Sequence, residues 1–196
     1  MEISIPTGTK SASISLKEQW GKAFPSPAQA TVSMNWSPTL FTLTFEVDEP
    51  VLRAQETNPW QVHQDSCVEF FFSLSGENTY YNLEANPLGC LLFASGEGRE
   101  HRHDLSEEQG RLIQIEGSHV GREECPEDGS WWLRMGIPPQ AVGLEHWEVS
   151  ELRANIYKCG DALPQPHYLS WVPLSSANPD FHRPQDFATM RLSKEL

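Results

Sequence analysis

Trp60-Gln-Val-His-Gln-Asp65-Ser-Cys-Val-Glu69-Phe-Phe-Phe72, followed after a polar turn by Tyr80-Tyr-Asn-Leu-Glu84-Ala-Asn86-Pro87, decides the fold of this chain. The turn, Ser75-Gly-Glu-Asn-Thr79, contains the Gly and Asn that suit a hairpin bend. In the first run Val68, Phe70, Phe72 and Leu74 fall on one side of a strand, with Glu69, Phe71 and Ser73 on the other. In the second run Tyr81, Leu83 and Ala85 share a side, and Asn82, Glu84 and Asn86 share the reverse. A one-residue slip would turn a whole apolar face to solvent, so the apolar faces must coincide. This matching predicts Leu74 opposite Tyr81, Phe72 opposite Leu83 and Phe70 opposite Ala85. On the reverse face it sets Glu69 against Asn86 and Phe71 against Glu84. A carboxylate beside a carboxamide, approached by a Trp, can grip a hydroxyl-rich ligand. The plainer reading is the solvated face of an ordinary sandwich.

Outward from this hairpin the same alternation recurs. Val32, Met34 and Trp36 share a side, as do Phe41, Leu43, Phe45 and Val47. Apolar or alternating runs follow at 88–94, 111–116, 131–137, 148–159, 167–171 and 187–192. Residues 95–110 read as a charged loop, and Pro138 to Gly143 as room for one helical turn. The expected fold is all-β, an antiparallel β-sandwich of about nine or ten strands, jelly-roll-like or immunoglobulin-like. A single domain spans 1–196, with 1–29 as a polar N-terminal arm anchored by Trp20 and Phe24.

Composition narrows the function. The 196 residues carry a net charge of −13, which argues against nucleic acid and anionic membrane surfaces as partners. Neutral ligands such as sugars are compatible with it, and seven Trp and four Tyr offer flat apolar surfaces for them. The start, Met1-Glu-Ile-Ser-Ile-Pro6, has no basic segment leading into an apolar one. The expectation is therefore a cytoplasmic chain, or an extracellular or periplasmic one if the sequence is trimmed. Cys67, Cys90, Cys125 and Cys159 form no Cys-x-x-Cys pair, and Cys67 and Cys90 read as buried thiols.

Catalytic signals are sparse. Glu69 and Glu84 share a face of neighbouring strands, as glycoside hydrolysis would need, but 27 acidic residues make some such pair nearly inevitable. His101, His103 and Asp104 have chelating spacing within a loop that reads as solvated. Asp48, Glu49 and Asp65 suit a hard cation, in no fixed loop pattern. Met34, Met135 and His167 are the ligand types of a haem-binding sandwich, without a supporting spacing. No catalytic residue is assigned. The aromatic and polar collection remains: Trp60, Glu69, Asn86, Arg153, Asn155, Trp171, Phe181 and His182, in which rings stack on sugar faces and planar polar groups pair with hydroxyls.

The blocks that contain these residues resemble the family 9 carbohydrate-binding modules and their single-domain relatives. They are Trp60-x4-Asp65-Ser66-x-Val68-Glu69-Phe70-Phe71, Tyr80 to Gly89, Trp132-x4-Ile137-Pro138, Arg153 to Lys158, Tyr168-Leu169-Ser170-Trp171-x-Pro173, and Pro179-Asp180-Phe181-His182-x-Pro184-x-x-Phe187. The resemblance covers roughly residues 30–192 in the expected order. It implies a sandwich that holds a mono- or oligosaccharide between aromatic rings, without catalysis and with room for structural Ca2+. Trp60 matches the aromatic before the acidic strand, and Asp65, Glu69 and Asn86 the polar positions around the sugar. The second ring is Trp171 or Phe181. Glycoside hydrolysis, or an accessory role in carbohydrate catabolism, is the alternative.

Overall fold

The alternating runs become two sheets packed face to face in a computed structural model that describes residues 1–74, 79–126, 129–147 and 150–193. With strands numbered along the chain, the smaller sheet has β10 (Gln114–Gly117), β11 (Gly129–Ile137), β5 (Leu40–Glu49), β4 (Gln29–Ser37) and β2 (Ala12–Ser15) side by side. The larger sheet runs β1 (Glu2–Pro6), β14 (Ala188–Ser193), β12 (Glu151–Cys159), β6 (Cys67–Leu74), β7 (Tyr80–Ala85), β8 (Leu91–Gly96) and β9 (Arg102–Asp104). β13 (Tyr168–Ser170) shares an edge of β12 with β14, and β3 (Lys17–Glu18) adds to β13.

The core lies between the sheets. Met34, Trp36, Phe41, Leu43 and Phe45 from the smaller sheet meet Phe70, Phe72, Leu83 and Ile156 from the larger, all of them buried. Phe70 has no exposure, and its ring stacks at 5.6 Å on Phe41 and 4.8 Å on Phe72. Burial of such rings is the main term holding the sheets together.

The sandwich follows the expected class, with several corrections. Fourteen strands are present among the described residues, not nine or ten, because the polar segments contribute short ones. The N-terminal arm is woven into both sheets through β1, β2 and β3. β1 pairs with β14 in parallel, whereas the other named strand pairs among the described residues are antiparallel. The charged loop folds into a 3-10 turn at 99–101, β9, and the helix α1 (Glu107–Leu112). Ser106 and Gln109 form a capping box that starts α1, so the run 111–116 splits between the helix end and β10.

The central hairpin keeps its predicted faces but not its register. Phe72 lies opposite Tyr81, Phe70 opposite Leu83 and Val68 opposite Ala85, so Glu69 faces Glu84 and Phe71 faces Asn82. A two-residue shift swaps no faces, and apolar matching alone could not distinguish the two registers. Asn86 resolves the choice by leaving the ladder. Its Oδ1 accepts from Leu88 N and Cys90 N, shaping a bend that Gly89 completes at φ 90°. The turn expected at 75–79 lies outside the described residues except for Thr79.

β6 is buried on both faces. Its outer face carries a second apolar cluster of Val62, Cys67, Phe71, Tyr80, Leu92, Tyr157 and Phe181. The 3-10 segment Pro59–Gln64 and the late loop through Phe181 cover this face. The site is built there.

Candidate functional site

One row of side chains crosses four strands of the larger sheet on its outer face. Tyr157 of β12 lies opposite Glu69 of β6, Glu69 opposite Glu84 of β7, and Glu84 opposite Leu92 of β8. Over this row opens a cavity of about 170 Å3. Glu69, Glu84, Leu92 and Cys159 form its floor. Trp60 and His63 come from the 3-10 segment, Arg99 and Arg102 from the turn and strand at 99–104, and Pro179 to His182 from the late loop. Tyr168 and Asp161 complete the wall. The volume is below the ~300–1,000 Å3 usual for drug-sized ligands and suits a single small ring.

Local chemistry fixes each wall. Asn58 caps the 3-10 segment by accepting from Trp60 N, and Pro59 presets its first turn. The half-buried Trp60 indole donates to Asp104 Oδ2 at 3.2 Å. The Arg102 guanidinium lies 5.3 Å from the Trp60 ring centroid and reaches Glu84 Oε1 at 3.5 Å, tying the wall to the floor. Phe181 stacks on Tyr157 at 4.1 Å, and Trp20 stacks on Phe181 at 6.2 Å. Trp20 adopts φ 56°, an unusual backbone for a bulky residue, and its indole donates to Ser176 O. The arm thereby backs the late loop.

The floor is electrostatically unusual. Burial, then repulsion from Glu84, raises the Glu69 carboxyl well above the ordinary carboxylate range. Burial also raises Glu84 to about 7, against the opposing pull of Arg102 and the hydrogen bond from Asn82. His182, hydrogen-bonded through Nδ1 to the Tyr80 hydroxyl at 2.9 Å, is lowered to about 2 by burial and by Arg102. The cavity thus presents two carboxyls raised above their ordinary range and a neutral imidazole beside cationic guanidiniums, a set suited to hydroxyls.

Of the residues singled out from sequence, the structure brings Trp60, Glu69, Phe181 and His182 to the cavity. It does not bring the others. Asp65 is fully buried and accepts from Arg53, from Gln55 N and Glu56 N, and from Asn86 Nδ2 at 2.9 Å. Asp65 and Asn86 therefore join the connection 53–56 to the hairpin. Arg153 donates to Phe187 O and does not line the cavity. Asn155 donates to Val172 O and accepts from Val172 N, tying β12 to the backbone just after β13. Trp171 lies in the core between the sheets, so of the two late rings Phe181 is the one at the cavity. His63, Arg99, Arg102, Asp161 and Tyr168 were missed. Arg99 and Arg102 lay in a segment read as a solvated loop, whose capping box was the available sign of order.

The acidic residues offered for Ca2+ do not fit it. Asp48 accepts from Ser130 at the surface. Glu49 is held by Lys158 Nζ at 2.6 Å and by the Trp131 indole at 2.7 Å, while Asp65 is saturated as above. Protein donors fill the oxygens that a hard cation would require. Met34 and Met135 are core residues, and burial followed by the Lys158 charge lowers the buried His167 to about 4.

Residues 10–192 match the family described as carbohydrate-binding family 9. A solved Bacteroides uniformis protein, named as a candidate carbohydrate-binding protein, is 28% identical, with 98% of this chain and 99% of that chain covered at a TM-score of 0.88. A family 9 carbohydrate-binding module from Caldicellulosiruptor kristjanssonii, solved with cellotriose, shares the fold at 11% identity and a TM-score of 0.63, covering 100% of this chain and 95% of that one. The module from the same organism solved with glucose gives 11% and 0.62, covering 100% and 97%. No curated protein matches the chain significantly.

Proposed function

From membership of carbohydrate-binding family 9, to which this chain belongs, we infer that it binds carbohydrate, and we propose the cavity over β6 and β7 as the place. The observation that carries this reading is the union of ring walls with a polar floor. Trp60 and Phe181 rise beside Glu69 and Glu84, and the space between is about 170 Å3. A sugar has apolar C–H faces and a rim of hydroxyls. Its faces would lie against the rings, and its rim would meet Glu69, Glu84, His63 and Arg102. Enclosure on several sides favours one ring entering from an end or as a free monosaccharide. Calorimetric titration with glucose and cellotriose, followed by a glycan array, tests it. Binding should weaken in both Trp60→Ala and Phe181→Ala. A sugar that binds both variants as tightly as the parent would move the site elsewhere.

Catalysis is not part of this proposal. One observation favours the second reading, glycoside hydrolysis: Glu69 lies directly opposite Glu84. Facing residues of an antiparallel pair hold their Cβ atoms about 4.5–5.5 Å apart. Retaining glycosidases separate their carboxyls by about 5–5.5 Å. The binding reading expects no turnover of aryl glycosides or common polysaccharides. Hydrolysis that disappears in Glu69→Gln or Glu84→Gln would establish the enzyme instead.

A further inference from the structure

We propose that Cys67, Cys159 and Glu69 form a site for a thiophilic divalent cation of the zinc type, set into the cavity floor. Cys67 of β6 lies directly opposite Cys159 of β12, and Glu69 follows Cys67 by two residues on the same face. The three residues are buried, and their Sγ, Sγ and carboxylate oxygen atoms all lie within 4.8 Å of one another. Cys159 Sγ is 3.0 Å from Glu69 Oε1. Zinc held by sulfur at roughly 2.3 Å and oxygen at roughly 2.0–2.2 Å in a tetrahedron needs ligand atoms about 3.3–3.8 Å apart. Small side-chain rotations suffice to reach that spacing.

A second observation points to a cation at this place. Other buried carboxylates on the sheets and their connections have a protein cation: Glu49 has Lys158, Asp65 has Arg53 and Glu84 has Arg102. Glu69 is 2% exposed, and among the described residues it has no ion pair, only the Cys159 thiol. A buried carboxyl that lacks a counter-charge is costly, and a metal would supply one. Two sulfurs select a soft or borderline ion over calcium or magnesium. Glu69 and Cys159 line the cavity, so three protein ligands leave a fourth position facing it, open to water or a ligand hydroxyl. The thiolate is the form that ligates metal, so uptake releases thiol protons. The inference does not rest on a saccharide occupying the cavity.

The experiment uses reduced protein stripped of metal by a chelator, then titrated with Zn2+ by calorimetry and with Co2+ by absorbance. One equivalent should bind, and Co2+ should show thiolate charge-transfer absorption. Cys67→Ser and Cys159→Ser should each lose that absorption. Affinity in every ligand variant should fall by at least the ~10–100-fold that loss of a supporting outer residue costs. A double variant at Cys90 and Cys125, thiols outside this cluster, should bind as the parent does. If the serine variants fail to fold by circular dichroism, Glu69→Gln and the parent cobalt spectrum decide. Absence of the thiolate band, or zinc affinity unchanged in Glu69→Gln and in folded cysteine variants, overturns the proposal. So does a parent protein lighter by two hydrogens, its two thiols closed to a disulfide under the same reducing conditions.

Discussion

Trp60 shows what one side chain contributes at the cavity. It is half-buried, its nitrogen is committed to Asp104, and one part of its ring carries Arg102. Trp60→Ala should weaken saccharide binding by about 1–3 kcal/mol, the range for other stacked rings, as read by calorimetry. Phe70→Ala, in the sealed core, should instead cost about 3–5 kcal/mol of stability, and more than Trp60→Ala, in parallel denaturant melts. Glu84 gives a pH signature. Its folded carboxyl titrates near 7 against 4.5 as a free group, so the folded state binds the proton more tightly than the unfolded state. The stability from this group is fully present below pH 4.5 and is lost as pH rises through 7. Relative to Glu84→Gln, the parent should therefore lose up to about 3 kcal/mol across that window in melts at stepped pH. A difference that grows in the opposite direction would show that Glu84 is ionised at the floor.

Among the elements, β12 bears the most varied duties. Its inner face ends in Lys158, fully buried and bound to Glu49 at 2.6 Å, to Cys159 O and to His167 Nε2. Lys158→Ala should cost about 3–5 kcal/mol by urea denaturation, because it leaves Glu49 buried and unpaired. The alternation that reveals β12 placed Leu152, Ala154 and Ile156 inward, yet it could not announce a charged residue in the same row. That contrast describes what was legible in sequence. Period-two patterning identified the faces of β4, β5, β6, β7 and β12, since burial imposes that period directly. Register was not legible, because Phe72 can face Leu83 or Tyr81 without exposing either apolar face. Of the site, Trp60, Glu69, Phe181 and His182 were readable as aromatic and acidic punctuation around strands. Asp65 and Asn86 looked alike on paper but pair with each other, a contact 21 residues apart in the chain. Arg102 was hidden because its meaning depends on β9 folding back onto β8.

At the scale of the whole molecule, binding and stability are linked. Sugar at about 100 times its dissociation constant should stabilise the folded state by ~2.7 kcal/mol. At roughly 2–4 °C per kcal/mol for a chain of this size, that is a rise of about 5–10 °C in melting temperature. Scanning calorimetry with glucose and cellotriose should show this shift in the parent and a smaller one in Trp60→Ala. An equal shift in both would place the sugar away from that ring. The doubly buried strand β6 carries a further consequence. Flanked by β7 and β12, it holds its amides in ladders on both edges, so they exchange chiefly through large-scale opening. Its backbone should be among the slowest to exchange, while amides at 59–64 and 99–104, at the rim, should exchange early and slow when ligand is present. Glu69 rides on that slow strand. The base of the cavity is thus a fixed anvil, and any adaptation to differently shaped guests must be made by its rim.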